Sequence, residues 1–145
     1  MKIHQLSVFL ENKPGHLSAI CRTLSRAGIN IVTLSLADTQ QFGILRLIVK
    51  DWERARDVLS RDGCVVHVSE VVATEIDDKP GGLAEILEII EESGTNIEYM
   101  YAFTFHRGNK AVLVFRFDAP DLAIQRLQSK GKNVLGGVEL YDKLA

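Results

Sequence analysis

The chain has 145 residues, 46% hydrophobic and 25% charged, with a net charge of 17 − 19 = −2. That is the composition of a globular domain, and it offers no electrostatic argument for binding nucleic acid or an anionic membrane. No apolar run approaches the roughly 20 residues that a spanning helix needs. The opening MKIHQLSVFLENKPG lacks both the uninterrupted apolar stretch and the small-residue cleavage site of a secretory leader. Two cysteines, Cys21 and Cys64, are too few for a secreted disulfide framework, so a cytoplasmic location is the expectation.

Residues 3–10 (IHQLSVFL) alternate partly and predict a strand. Asn12-Lys13-Pro14-Gly15 is turn chemistry. Leu17, Ile20, Cys21 and Leu24 then recur at i, i+3, i+4 and i+7, one face of a helix that Gly28 ends. Ile31–Ala37 reads as a strand with Leu34 and Leu36 on the core side, Asp38–Gly43 as a polar turn, and Ile44–Lys50 as the next strand. Asp51 is placed to cap a helix over Trp52–Arg61, Gly63 to end it, and Cys64–Val68 to form a last strand.

The order then repeats. Val71–Ile76 predicts a strand and Gly82–Ser93 a helix. Ile97–Phe105 and Ala111–Phe117 predict a hairpin about Arg107-Gly108-Asn109. Pro120–Ser129 predicts a helix and Val134–Leu140 a strand. NKPGHLSAICRTLSRAGINI over 12–31 and DKPGGLAEILEIIEESGTNI over 78–97 match at one offset, 79 − 13 = 97 − 31 = 66. Later the offset becomes 127 − 59 = 68, as a loop insertion of two residues would make it. The expected organisation is therefore two units, 1–68 and 69–145, joined at 67–70 (HVSE) without Gly or Pro. Each reads strand-helix-strand-strand-helix-strand. The expected fold class is α+β, two ferredoxin-like βαββαβ domains whose antiparallel sheets carry helices on one face.

The uncovered sheet face of the second unit would then show Tyr99, Tyr101 and Phe103, where the first has Thr33, Ser35 and Ala37. An aromatic stripe there implies a homodimer contact. The alternative is a reversed strand phase that puts these residues in the core.

With K-P-G-x-L between strand and helix and G-x-N-I at the helix end, both seen twice, the chain resembles the ACT-domain family. These are small regulatory domains that bind amino acids. The resemblance covers both units and implies a stand-alone tandem ACT protein with a free amino acid as ligand, bound where ACT domains pair. It implies ligand contacts from Asn12, Pro14, Gly15, His16 and Leu17 with Asn96 and Ile97, and from Asp78, Pro80, Gly81, Gly82 and Leu83 with Asn30 and Ile31. The chemistry fits, because a ligand carboxylate suits the unpaired amides at a helix N-terminus. Serine-binding members carry a His two residues before the loop Asn. Leu10 and Ile76 stand there, which argues against serine. A second possibility is a regulatory subunit that docks on a biosynthetic enzyme such as acetolactate synthase. By their residues alone, Pro14-Gly15 and Pro80-Gly81 are equally helix-starting turns, and Asn30 and Asn96 equally backbone-satisfying residues after a glycine.

No phosphate loop, dinucleotide fingerprint, H-E-x-x-H, C-x-x-C or nucleophile elbow is present. The four histidines are scattered, without the spacing that holds a metal. The expectation is no catalytic residues, no metal and no cofactor.

Overall fold

The computed structural model describes residues 1–39, 41–103 and 108–144. The chain divides into two compact units, His4–Ser69 and Glu70–Ala145, the latter including Met1–Ile3. Within the latter unit, Lys2 Nζ lies 3.1 Å from the Asp121 carboxylate.

The first unit contains β1 (Ile3–Glu11), α1 (His16–Arg26), β2 (Thr33–Thr39), β3 (Phe42–Ile48) and α2 (Trp52–Arg61), and ends in the first part of β4 (Val65–Asp77). Its strands follow the order β2-β3-β1-β4. The alternation of β1 puts Leu6 and Val8 opposite Leu47 and Leu45 of β3, facing Ile20 and Leu24 of α1 and Ala55 and Leu59 of α2. Asp51 accepts the Arg54 N–H at 3.4 Å and starts α2 as its side chain predicts. Trp52 stacks on His4 with ring centroids 4.3 Å apart.

The second unit continues with the rest of β4, α3 (Gly82–Glu92), β5 (Ile97–Ala102), β6 (Lys110–Phe117), α4 (Pro120–Ser129), β7 (Val134–Leu135) and α5 (Gly137–Leu144). β6 pairs antiparallel with both β4 and β5, and β7 pairs with β4. Val72, Phe115 and Phe117 pack under Ile86, Ile90, Ala123 and Leu127. The architecture is α+β, a ferredoxin-like βαββαβ pattern used twice. Gly63 and Gly131, 68 apart, both have positive φ, and Cys64 N–H→Leu59 O and Lys132 N–H→Leu127 O close α2 and α4 with the same bond, each at 3.0 Å.

Four local expectations are revised. Cys64–Val68 and Val71–Ile76 are not two strands: Val65–Asp77 runs unbroken, because nothing in HVSE interrupts a ladder. The strand expected over Val134–Leu140 stops at Leu135. Gly136 and Gly137 follow, and the Leu140 N–H bonds to Gly136 O at 2.9 Å inside a helix instead. Leu34 and Leu36 pair with Leu47 and Leu45 on the helix side as expected, yet they are 40% and 49% exposed. β2 is the edge of its sheet, and the helices do not reach over it, while Thr33 on the other face is buried. Finally, Cys21, which the periodicity places on the inner face of its helix, is only half-buried, as is Cys64.

The phase of β5 is as expected. Met100 pairs with Phe115 beneath the helices, so Tyr99 and Tyr101, opposite Arg116 and Val114, lie on the other face. That face is no bare apolar stripe, however. Phe103, Val112 and Val114 are buried and the two tyrosines half-buried. Of the expected turn, Arg107 lies outside the described residues, and Gly108 adopts a positive φ of 61° just before β6.

Candidate ligand-binding turns

Two turns lead from a strand into a helix, and they are built alike. The Asn12 N–H donates to Gln41 O at 2.9 Å, and the Asp78 N–H to Asn109 O at 3.0 Å. Each thus ties the turn to the hairpin of its own unit. Lys13 N–H→Glu11 O and Lys79 N–H→Asp77 O, both 2.9 Å, fold the chain back on itself. Gly15 and Gly81 are the N-caps of α1 and α3, with φ of 91° and 87°. Only glycine takes up that left-handed conformation without steric cost, which is why KPG recurs. No side chain caps either helix, and the amide that follows each glycine bonds back to the carbonyl of Lys13 or Lys79.

The turns differ in the next residue. In the first, the Glu11 N–H donates to His16 Nδ1 at 3.3 Å, which holds the imidazole against the end of β1. In the second, Gly82 is buried, and a Cβ there would overlap the carbonyl oxygen of Asp77. The Gly82 N–H reaches Lys79 O at 3.0 Å, against 3.4 Å for His16 N–H to Lys13 O. Gly82 is therefore required by the packing of its turn on Asp77.

The charges differ as well. Asp77 pairs with Lys110, with Lys79 Nζ at 3.7 Å, and the Lys110 hydrogen bond holds the Asp77 carboxyl below its ordinary value. At the matching position Glu11 is lowered by its bond to Lys13, 3.1 Å away. α3 carries Glu85 in its first turn, bonded to Lys132 at 2.7 Å, whereas the first turn of α1 has no acidic residue.

The residues expected to form a site in the first unit are not all brought together. Asn12, Pro14 and Leu17 line one cavity of about 330 Å³ with Leu10, Leu36, Ala37 and Gly43. His16 faces a different cavity of about 400 Å³, beside Phe9, Phe42 and Cys64, whose thiol is raised by burial. Asn30 and Ile31 border a third, about 390 Å³, at the far end of α1. In the second unit Pro80, Gly81 and Leu83 are exposed, as is the side chain of Asn96, while Ile97 packs against the core. It is the backbone N–H of Asn96 that bonds to Asp118, at 2.9 Å. Sequence reasoning missed Leu36 as a cavity wall. The periodicity gave its side correctly, but nothing local marks an edge strand.

The sequence profile of the ACT domain pair matches residues 1–136. The chain belongs to this family. Among curated relatives, this ACT domain pair is 25% identical to the acetolactate synthase small subunit of Buchnera aphidicola subsp. Baizongia pistaciae, over 99% of this chain and 89% of that one. It is 28% identical to the Mycobacterium avium acetolactate synthase small subunit, over 94% of this chain and 78% of that one. Among solved structures, the protein BT0572 from Bacteroides thetaiotaomicron matches with a TM-score of 0.91 and 37% identity, over 97% of this chain and 96% of that one. The regulatory subunit of aspartate kinase from Thermus thermophilus shares the fold, with a TM-score of 0.64 at 14% identity over 87% and 91% of the two chains. Among the described residues no helix is long and apolar enough to cross a membrane, and no cluster of His, Cys, Asp and Glu is placed to hold a metal.

Proposed function

We propose that this ACT domain pair is a non-catalytic regulatory protein that binds a small amino acid at its helix-starting turns. The ligand carboxylate would rest on the amides of the first helical turn, which no side chain caps. The ammonium would meet the polar residue of the turn, Asn12 or Asp78, and Asn30 or Asn96 of a paired ACT unit would complete the contacts. The observation that carries this reading is the cavity of about 330 Å³ beside the uncapped start of α1, with Asn12 at its rim and leucines in its walls. Its size suits a small molecule, and its mix of apolar wall and few polar groups is that of a ligand site. Binding would act by favouring one of two arrangements of the protein.

The test is a thermal-shift screen of the chain against the twenty amino acids at millimolar concentration. At least one should raise the melting temperature, since a ligand that binds only the folded state stabilises it by mass action. No shift with any of them would remove the reading.

A second reading has its own support in the near full-length match to two acetolactate synthase small subunits. In it the chain docks on a catalytic subunit of an amino-acid biosynthetic enzyme and sets its response to the ligand. Co-purification of such a subunit with the tagged chain would favour it. A lone homodimer with no captured enzyme would count against it.

A further inference from the structure

The second unit carries ion pairs at the positions where the first unit has its cavity of about 400 Å³. Lys132, just past α4, reaches Glu85 in the first turn of α3 at 2.7 Å. Glu85 matches Ala19, since 85 − 19 = 66, and Lys132 matches Cys64, since 132 − 64 = 68. Lys110 stands opposite Asp77 across the β4–β6 ladder and is bonded to it. In the same place across the β1–β3 ladder, Phe42 stands opposite Glu11. Ala19, Cys64 and Phe42 all line the cavity. Charged side chains of one unit are thus a methyl group, a thiol and a phenyl ring in the other, on a repeated backbone, and the space between these is left open.

We propose that this cavity binds a small primary amine with an aromatic or branched hydrocarbon part and no carboxylate. Phe9, Phe42 and Val65 border it and are 43%, 55% and 58% exposed, so a hydrocarbon group gains by covering them. Phenyl faces also attract an ammonium. The titratable groups of the lining are Glu11, His16, Asp62 and Cys64, with no Lys or Arg beside them. Glu11 is answered by Lys13 at 3.1 Å, and His16 accepts the Glu11 N–H. Asp62 accepts the Thr23 hydroxyl, a neutral partner, at 2.7 Å, and among the described residues no ion pair reaches it. Burial raises the Cys64 thiol and the Asp62 charge raises it further, so that charge acts inside the cavity. A ligand ammonium is attracted there and a ligand carboxylate repelled. The site is distinct from the turn cavity, with which it shares Leu10 and Glu11, and it stands whether or not that cavity takes an amino acid.

The experiment is isothermal titration calorimetry of the full chain with phenethylamine, isoamylamine and hydrocinnamate, which keeps the phenyl ring and exchanges the ammonium for a carboxylate. At least one amine should bind, and hydrocinnamate should bind at least about tenfold more weakly. The double variant Ala19→Glu/Cys64→Lys transfers the ion pair of the second unit into the cavity and should abolish amine binding. Ala19 is exposed, so the fold admits the change there. Asp62→Asn keeps an oxygen for the Thr23 hydroxyl, removes the charge and should weaken amine binding about tenfold; it decides the matter should the double variant fail to fold. Silence with both amines at millimolar concentration would overturn the site. Hydrocinnamate binding as tightly as phenethylamine would overturn the ligand class. Amine binding that survives unchanged in Asp62→Asn would put the amine elsewhere on the chain and overturn the assignment.

Discussion

Gly82 sits so close to Asp77 that a β-carbon on it would overlap the Asp77 carbonyl oxygen. The obstacle is backbone, so no rotation of a side chain relieves it. Gly82→Ala should cost about 1–3 kcal/mol, the range for overpacking a filled site, read from the urea midpoint. At the matching position of the first unit a histidine already fits, so His16→Ala should cost well under half of that. Equal costs at the two positions would show that the turns are not differently packed.

The Asp77–Lys110 pair gives the second unit an acid sensitivity of known sign. The Asp77 carboxyl is lowered from its ordinary 3.8, first by the Lys110 hydrogen bond and then by the Lys110 charge. A lowered carboxyl stabilises the fold above its unfolded value, and that contribution drains away as pH falls through the folded value. Wild-type stability should therefore drop more steeply below about pH 4 than that of Asp77→Asn, with Lys110→Met behaving like the latter. Thermal melts from pH 6 to 2 measure it. Parallel curves would show that the pair contributes nothing.

Asn30 and Asn96 both have exposed side chains, and the Asp118 bond at position 96 is made by backbone. Asn30→Ala and Asn96→Ala should each leave stability within about 0.5 kcal/mol of wild type. On the proposed function, at least one should weaken amino-acid binding in the calorimeter. Unchanged affinity in both variants takes these residues out of the site.

Leu34 and Leu36 share a face with Leu45 and Leu47 but not their environment. Replacing either exposed leucine by threonine should change stability by no more than about 0.5 kcal/mol. Leu45→Ala or Leu47→Ala, at fully buried positions, should cost about 2–5 kcal/mol. Chemical denaturation of the four variants compares them directly.

These leucines also mark the limit of what the sequence discloses. The repeat, the helices over Trp52–Arg61 and Pro120–Ser129, and the glycines that end α1 and α2 are written in local signals: periodicity, caps and punctuation. Two-residue alternation likewise told which way Leu36 and Met100 point. What it does not tell is whether the inward side of a strand has a helix above it, because that depends on where the strand lies in the sheet order. Hence alternation alone puts Leu36 in the core, whereas it is a cavity wall. The failure at Val134–Leu140 has another cause. A Gly-Gly pair reads equally well as an interruption of a strand or as the start of a helix, and Val138 and Leu140, two residues apart, continue the alternation of a strand. The turn residues were legible as turns. Their division among three cavities was not, since His16 and Leu17, neighbours in sequence, stand about 100° apart around α1 and line different cavities.

The unbroken run of β4 from Val65 to Asp77 has a practical corollary for anyone cutting or extending this protein. The repeats look separable at 68/69, yet a protease needs several residues of free backbone, and here the chain is strand throughout Val65–Asp77. Limited proteolysis should leave this join intact. Tags, linkers or domain insertions placed there would cut a strand in two.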